Sequence, residues 1–107
     1  MNAHTLAELI EQAVRSGRAY HEFLRVPAMS AGIYHLPEGG NDLQSPHRED
    51  ELYWVLDGRA TVRVADEDRR VEPGDSVFVA AGVAHRFHSI TEDLVVLVVF
   101  APAETAS

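Results

Sequence analysis

Residues 51–64, ELYWVLDGRATVRV, carry the pattern that decides the fold. Asp57-Gly58 is a strong signal for a two-residue turn, so the stretch predicts a hairpin in which the residues before the turn pair with those after it. Side chains alternate between the two faces of each strand. One face then carries Glu51, Tyr53, Val55, Ala60, Val62 and Val64, and the other carries Leu52, Trp54, Leu56, Arg59, Thr61 and Arg63. We assign the first face to the core, because its second strand is wholly apolar.

Short runs of strand-forming residues, separated by turn residues, occur on both sides of this stretch. The predicted strands are Tyr20–Val26, Ser30–Leu36, Leu52–Leu56, Ala60–Ala65, Arg70–Glu72, Ser76–Ala80, His85–Ile90 and Leu94–Phe100. Short strands with closely spaced turns are typical of a sandwich or a barrel. The sequence therefore predicts an all-β protein.

One helix is predicted, at residues 5–16, where apolar side chains follow the helical period. Thr5 and Glu8 have the spacing of a capping box, and Gly17 stands where a left-handed C-terminal cap belongs. The apolar stripe of this helix needs a surface to cover. We expect the helix to dock either on a sheet or on a second subunit.

Composition excludes several functions. The 107 residues suit one domain, and the absence of cysteine excludes disulfides, thiolate metal sites and cysteine nucleophiles. All nine basic residues are arginine, so Schiff-base chemistry is excluded as well. A net charge of −8 repels a phosphate backbone, so we expect no nucleic-acid partner.

No membrane partner is expected either. The longest apolar run, Leu94–Ala101, is too short to cross a bilayer as a helix. The N-terminal residues lack the basic stretch and apolar run of a secretory signal. We therefore expect a cytoplasmic protein.

Glu51 is the only charged residue on the predicted core face. A carboxylate there is costly unless it is paired, binds a metal or reaches solvent at the open end of the strand. If residues 45–51 extend the same strand, His47 lies on the same face as Glu51. We expect this pair to point into the interior together.

A second histidine, His85, opens another predicted strand and shares a face with Phe87, whereas His88 points the other way. Two histidines and a carboxylate from separate strands form the ligand set of a zinc site or of a non-haem iron site with open positions. The alternative is that these histidines lie at the surface or are hydrogen-bonded in the core.

Residues 46–58, PHREDELYWVLDG, resemble the first motif of the cupin family, G-x5-H-x-H-x3,4-E-x6-G. His47 matches the second histidine of that motif, Glu51 the glutamate and Gly58 the closing glycine. Residues 74–85 resemble the second motif, G-x5-P-x-G-x2-H-x3-N, and His85 matches its histidine. Both motifs occur in order and at the right spacing.

Three positions depart from the two motifs. Ser45 replaces the first histidine, Ala80 replaces the proline, and Ser89 replaces the asparagine. The change at Ser45 matters most, because serine is a poor ligand for most divalent metals. Gln44 or a water molecule is then left to fill the missing ligand position.

The resemblance implies an antiparallel double-stranded β-helix, the jelly-roll barrel of cupins, with one N-terminal α-helix. The barrel would span residues 20–103, between a helical lead-in at 1–19 and a tail at 104–107. It also implies one divalent metal ion (zinc, iron, nickel or manganese) held by His47, Glu51 and His85.

For function, the resemblance implies a metal-binding cupin that acts on an anionic or chelating small molecule, as a dioxygenase-, isomerase- or lyase-type enzyme. Tyr53 and Gln44 are the candidate catalytic residues. Two alternatives stay open: a non-catalytic module that binds or senses a small ligand, and a degenerate barrel without metal. The outward-facing Trp54 and Leu56, with the helix stripe, predict a homodimer surface or a site for the helix to dock.

Overall fold

The computed structural model describes residues 1–42 and 44–105. Over these residues it contains one helix, α1 (Leu6–Ser16), and the helix is followed by strands. The strands are β1 (Tyr20–Val26), β2 (Met29–Leu36), β3 (Asp50–Val64), β4 (Glu67–Val71), β5 (Ser76–Val79) and β6 (His85–Ala101). Every strand pair is antiparallel. The predicted all-β barrel with one N-terminal helix is confirmed.

Local signals define helix α1. The Thr5 hydroxyl accepts a hydrogen bond from the Glu8 backbone N–H at 3.2 Å, and Gly17 ends the helix in the left-handed conformation. The helix docks on the outer face of the sheet, where Leu9 and Ala13 pack with Ile33 and Val95. Of the two predicted surfaces, the sheet of the same chain is therefore the one that the helix covers.

The predicted hairpin at Asp57-Gly58 is wrong. β3 runs without reversal from Asp50 to Val64, and the chain turns back only after Val64, which pairs with Glu67 of β4. Gly58 has a φ of 87° and marks a bend where the pairing of β3 with β6 becomes irregular. The sequence therefore indicated the positive φ of Gly58 correctly. The glycine bends a long strand, however, and does not close a hairpin.

Two further predicted strands also form one element. His85–Ile90 and Leu94–Phe100 are both parts of β6, which pairs with β3 along the full length of β3. β5 pairs with the first half of β3 and β4 with the second half. The long strands β3 and β6 therefore lie in the middle of the sheet. The strand order is β1-β2-β6-β3-β4, and β5 also pairs with β3.

The assignment of residues 51–64 to core and outer faces is nevertheless correct. Glu51, Tyr53, Val55, Ala60 and Val62 are all buried, and Val64 packs against the same cluster. Phe87 and Leu94 from β6 complete the interior.

Within the described residues, no helix has the length and hydropathy needed to span a membrane.

Candidate metal centre

The three predicted ligands meet inside the barrel. One ligand atom from each of His47, Glu51 and His85 lies within 4.8 Å of the others. Glu51 Oε2 is 3.1 Å from His85 Nε2 and 4.0 Å from His47 Nε2. Glu51 is 2% exposed and His85 is 6% exposed, so water screens their interaction little.

His47 does not reach this centre as part of a strand. Residues 45–49 are irregular and β3 begins at Asp50, so the assumed strand over 45–51 is wrong. Instead, the Gly82 N–H donates to the His47 carbonyl at 2.7 Å, and the Ala81 N–H donates to the Asp50 carboxylate at 2.8 Å. The turn that precedes β6 therefore fixes the segment that carries His47.

The surroundings of His85 determine which ring nitrogen faces the centre. Nδ1 lies 2.8 Å from the Val83 carbonyl oxygen, which can only accept a hydrogen bond, so the ring proton is assigned to Nδ1. The lone pair of Nε2 in the neutral ring then faces the Glu51 carboxylate. Within the described residues, neither Glu51 oxygen nor His85 Nε2 has a hydrogen-bond partner of good geometry.

Two lone-pair-bearing atoms that face each other in a buried site need a cation or a proton between them. Burial lowers the pKa of His85, but the facing Glu51 carboxylate and the Val83 carbonyl outweigh it and raise the pKa above its ordinary value. In the absence of any other cation, a proton on His85 would satisfy the pair. These residues therefore fit a metal ion, which would take the place of that proton.

Gln44 is aligned on the same centre by Asp42. Its amide nitrogen donates to Asp42 Oδ2 at 2.8 Å, which turns Oε1 toward His47 Nε2 at 3.1 Å. The Tyr53 hydroxyl also donates to Gln44 Oε1, at 3.2 Å. Gln44 therefore presents a carbonyl oxygen beside the three ligands, whereas Ser45 is exposed.

The three tyrosines around the centre stay protonated at neutral pH. Burial raises the pKa of Tyr53 well above its usual value, and the Glu51 charge raises it further. Burial and the Asp42 carboxylate raise the pKa of Tyr34, whose hydroxyl donates to Asp42 at 2.5 Å. Burial and Glu104 likewise raise the pKa of Tyr20. The Tyr53 and Tyr34 hydroxyls are therefore hydrogen-bond donors, whereas the buried Tyr20 hydroxyl has no hydrogen-bond partner among the described residues.

A cavity of about 140 Å³ opens beside the centre. It is lined by Tyr20, Tyr34, Gln44, His47, Glu51, Val98, Phe100 and Glu104. None of these described residues is arginine or lysine, so they supply little positive charge to the cavity. The volume holds roughly four or five water molecules at about 30 Å³ each. Such a space suits a ligand of a few heavy atoms.

The remaining histidine of β6 lies away from the centre. His88 Nε2 is 2.9 Å from the Asp68 carboxylate on the outer surface, and its Nδ1 is 3.0 Å from the Ser89 hydroxyl. The opposite orientations predicted for His85 and His88 are thus those of the structure.

Sequence reasoning missed three acidic residues near the centre: Asp42, Glu49 and Glu104. Asp42 is buried and accepts hydrogen bonds from Tyr34, Gln44 and the Phe87 N–H. Glu49 is buried and accepts from Thr105, and Glu104 contacts His47. All three lie in irregular segments, where no periodic pattern distinguishes a buried acid from a solvated one.

Comparison with known proteins identifies the family. The sequence profile described as "Cupin domain" matches residues 32–100. This range contains most of β2, all of β3 to β5 and β6 short of its last residue, together with His47, Glu51 and His85. The chain belongs to the cupin family.

Similar proteins cover nearly the whole chain. The uncharacterized protein SCO3923 of Streptomyces coelicolor is 49% identical over 105 residues, which is 98% of this chain and 100% of that protein. The crystal structure of TT1209 from Thermus thermophilus has a TM-score of 0.77 at 25% identity, over 96% of this chain and 99% of TT1209. DMSP lyase DddQ from Ruegeria pomeroyi shares the fold, with a TM-score of 0.71 at 18% identity, over 94% of this chain and 66% of DddQ.

Proposed function

We propose that this cupin holds one divalent metal ion through His47, Glu51 and His85 and binds a small molecule on that ion. One observation carries the proposal: the buried Glu51 carboxylate and the His85 Nε2 lone pair face each other at 3.1 Å without a hydrogen bond of good geometry. A buried carboxylate needs a positive partner, and a metal ion bound to both groups would supply it in place of a proton on His85.

The donor set favours a borderline or hard metal ion. Two imidazoles and one carboxylate suit zinc, iron, nickel or manganese. The Gln44 carbonyl oxygen, which lies 3.1 Å from His47 Nε2, is available as a fourth ligand. One carboxylate and two neutral imidazoles leave a divalent ion with a net charge of +1, and further coordination positions remain for water or substrate.

The ligand is proposed to be small and to bind through oxygen. The cavity beside the centre has a volume of about 140 Å³, and the metal ion would be its main source of positive charge. A carboxylate or a chelating pair of oxygens would satisfy that charge. When bound, the ion would supply Lewis-acid chemistry, as in isomerases and lyases, or open positions for dioxygen.

A non-catalytic binding module is a second candidate, because two hydroxyls near the centre are already engaged. Tyr53 donates to Gln44 and Tyr34 donates to Asp42, so neither is free to transfer a proton to a substrate without first giving up that contact. The two functions differ in turnover. A compound that stabilises the metal-loaded protein and is recovered unchanged after prolonged incubation supports the binding module, and its conversion supports the enzyme.

Metal titration tests the site itself. We expect the wild-type chain to bind one equivalent, and Glu51→Gln and His85→Ala to lose more than about 1.4 kcal/mol of binding free energy, a factor of about ten. His88→Ala is the matched control, because it removes an imidazole from the same strand but from the outer surface. Equal losses in His85→Ala and His88→Ala, or full affinity in Glu51→Gln, would contradict the proposal.

We also infer that the subunit forms a homodimer. Leu52, Trp54 and Phe78 are 40%, 49% and 61% exposed on the outer face, and Leu52 and Phe78 are cross-strand partners in the β3–β5 pair. Together they form an apolar patch that α1 does not cover. Light scattering should give about twice the 11.8 kDa of one chain, and Trp54→Ser with Phe78→Ser should restore the monomer mass.

A further inference from the structure

We propose that Glu104, near the C-terminus, is a positioning residue that selects the tautomer of His47 and so directs its Nε2 lone pair at the metal centre. The inference rests on the proposed function, because it concerns one of the three proposed ligands. Glu104 follows the last strand, and no sequence pattern places it near the centre.

The two ring nitrogens of His47 have different partners. Nδ1 lies 3.2 Å from Glu104 Oε2. Nε2, on the other side of the ring, lies 3.1 Å from Gln44 Oε1 and 4.0 Å from Glu51 Oε2. All three neighbouring oxygens accept hydrogen bonds, since Gln44 has its amide nitrogen turned toward Asp42.

The neutral ring carries one proton, so one of these contacts must face a lone pair. If the proton is on Nε2, the Nδ1 lone pair faces the Glu104 carboxylate, which is a repulsive arrangement. If the proton is on Nδ1, the polarised N–H lies 3.2 Å from the Glu104 carboxylate, which is a favourable electrostatic contact without hydrogen-bond geometry. The Nε2 lone pair then faces the Gln44 carbonyl oxygen and is free to bind a metal. Glu104 therefore favours the tautomer that ligation requires.

His85 is oriented in the same way by a different group. The Val83 carbonyl accepts its Nδ1 proton at 2.8 Å, and Nε2 faces Glu51. Both histidines thus direct Nε2 toward the same carboxylate. The charged Glu104 carboxylate thus orients the His47 ring, as the neutral Val83 carbonyl orients the His85 ring.

The segment that carries Glu104 is held in place by the barrel. The Glu104 N–H donates to the buried Ser30 hydroxyl at 2.9 Å, and Arg25 donates to the Glu104 carbonyl at 2.7 Å. The next residue, Thr105, donates to the buried Glu49 carboxylate through its hydroxyl at 2.9 Å. The Glu104 carboxylate is therefore positioned by contacts on both sides of it.

The first arm of the test measures zinc affinity of the full chain. Replacing the outer partner of a ligating histidine typically costs about 10–100-fold in metal affinity. We expect that loss in Glu104→Ala and a smaller one in Glu104→Gln, whose amide oxygen keeps a partial negative charge beside Nδ1. Glu22→Gln is the matched control: it removes a nearby charge that contacts Arg25 and not His47, and its affinity should stay within about twofold.

The second arm reads the tautomer directly. Long-range ¹H–¹⁵N spectra of the histidine ring distinguish a proton on Nδ1 from one on Nε2. We expect His47 in the wild-type chain to carry it on Nδ1, and Glu104→Ala to move the population toward Nε2. Thr105→Ala, which loosens the segment but keeps the carboxylate, should leave the tautomer unchanged. An unchanged His47 tautomer in Glu104→Ala overturns the inference.

The two proposals fail in distinguishable ways. If His85→Ala and Glu51→Gln bind zinc as tightly as the parent, the metal centre itself is wrong. If those variants lose zinc but Glu104→Ala does not, the centre stands and the role of Glu104 is refuted.

Discussion

Gly58 provides a sharp test of the architecture, because the predicted hairpin and the observed continuous strand assign it different roles. In the structure, Gly58 lies at the bend of β3 and passes directly over the backbone of β6. A Cβ atom added there would clash with the Asp93 carbonyl oxygen and lie 2.8 Å from the Leu94 Cα. Both contacts are to backbone, so no side chain can move aside to relieve them.

The expected cost of Gly58→Ala has two parts. A non-glycine residue at a positive φ, here 87°, costs about 1–2 kcal/mol. Forcing a methyl group into closely packed backbone costs a further ~1–3 kcal/mol, because β3 and β6 must separate. The sum, about 2–5 kcal/mol, is a large fraction of the ~5–15 kcal/mol by which a domain is normally stable.

Gly74→Ala is the matched control. Gly74 has a φ of 95°, yet a Cβ added there meets no atom within 4 Å. This variant therefore carries the backbone cost without the clash. The difference between the two variants, about 1–3 kcal/mol, isolates the close passage of β3 over β6.

Urea unfolding followed by circular dichroism measures both variants against the parent. For a domain of this size, each 1 kcal/mol corresponds to a shift of roughly 4–8 °C in unfolding temperature, so thermal scans give an independent value. In a two-residue hairpin turn the glycine would project into solvent, and both variants would lose only the backbone cost. Equal losses in Gly58→Ala and Gly74→Ala would thus refute the reasoning.

Three further predictions concern the core and the centre. Phe87→Ala, which empties a fully buried ring position next to Tyr53, should cost about 3–5 kcal/mol in urea unfolding, and a loss below about 1 kcal/mol would contradict the assigned core. Removing metal with a chelator should lower stability by ~2.7 kcal/mol relative to metal at about 100 times its dissociation constant; an unchanged unfolding temperature would argue against a bound ion. Metal binding should weaken below about pH 6, because protons compete for the histidines and the pKa of His85 is raised by its surroundings despite burial; affinity that is constant from about pH 7.5 to 5.5 would contradict histidine ligation.

Local sequence signals were reliable where local interactions decide the conformation. The capping residues Thr5 and Gly17 delimit α1 as predicted, since their effect depends only on neighbouring backbone groups. β1 has the predicted bounds, Tyr20–Val26. At Asp57-Gly58, by contrast, the glycine does adopt the positive φ that a turn requires, but whether the chain reverses there depends on β6. Pairing with a strand that is distant in sequence kept β3 continuous, and a local pattern carries no information about that partner.

The face assignment remained correct despite the wrong hairpin for a geometric reason. In an unbroken strand, Val55 and Ala60 would lie on opposite faces because they are an odd number of residues apart. A two-residue turn puts them on the same face as cross-strand partners. The irregular bend at residues 57–59 also puts them on the same face, because it changes the alternation along one strand. The alternation of residues in the sequence therefore identified Glu51 and Val62 as inward-facing. It could not distinguish a hairpin from a continuous strand with a bend.

The same limit explains what was found and missed at the centre. Glu51 and His85 lie on strands, so their inward orientation follows from alternation. Asp42 and Glu104 lie outside the strands, and only the folded barrel brings Asp42 to the Phe87 N–H and Glu104 to His47. Asp42 accepts a hydrogen bond from the Gln44 amide nitrogen, which leaves Gln44 Oε1 facing the centre, and the Glu104 carboxylate lies 3.2 Å from His47 Nδ1. The strands thus supply Glu51 and His85, whereas the irregular segments supply His47 and the acids beside the centre, and the positions of these acids become visible only in three dimensions.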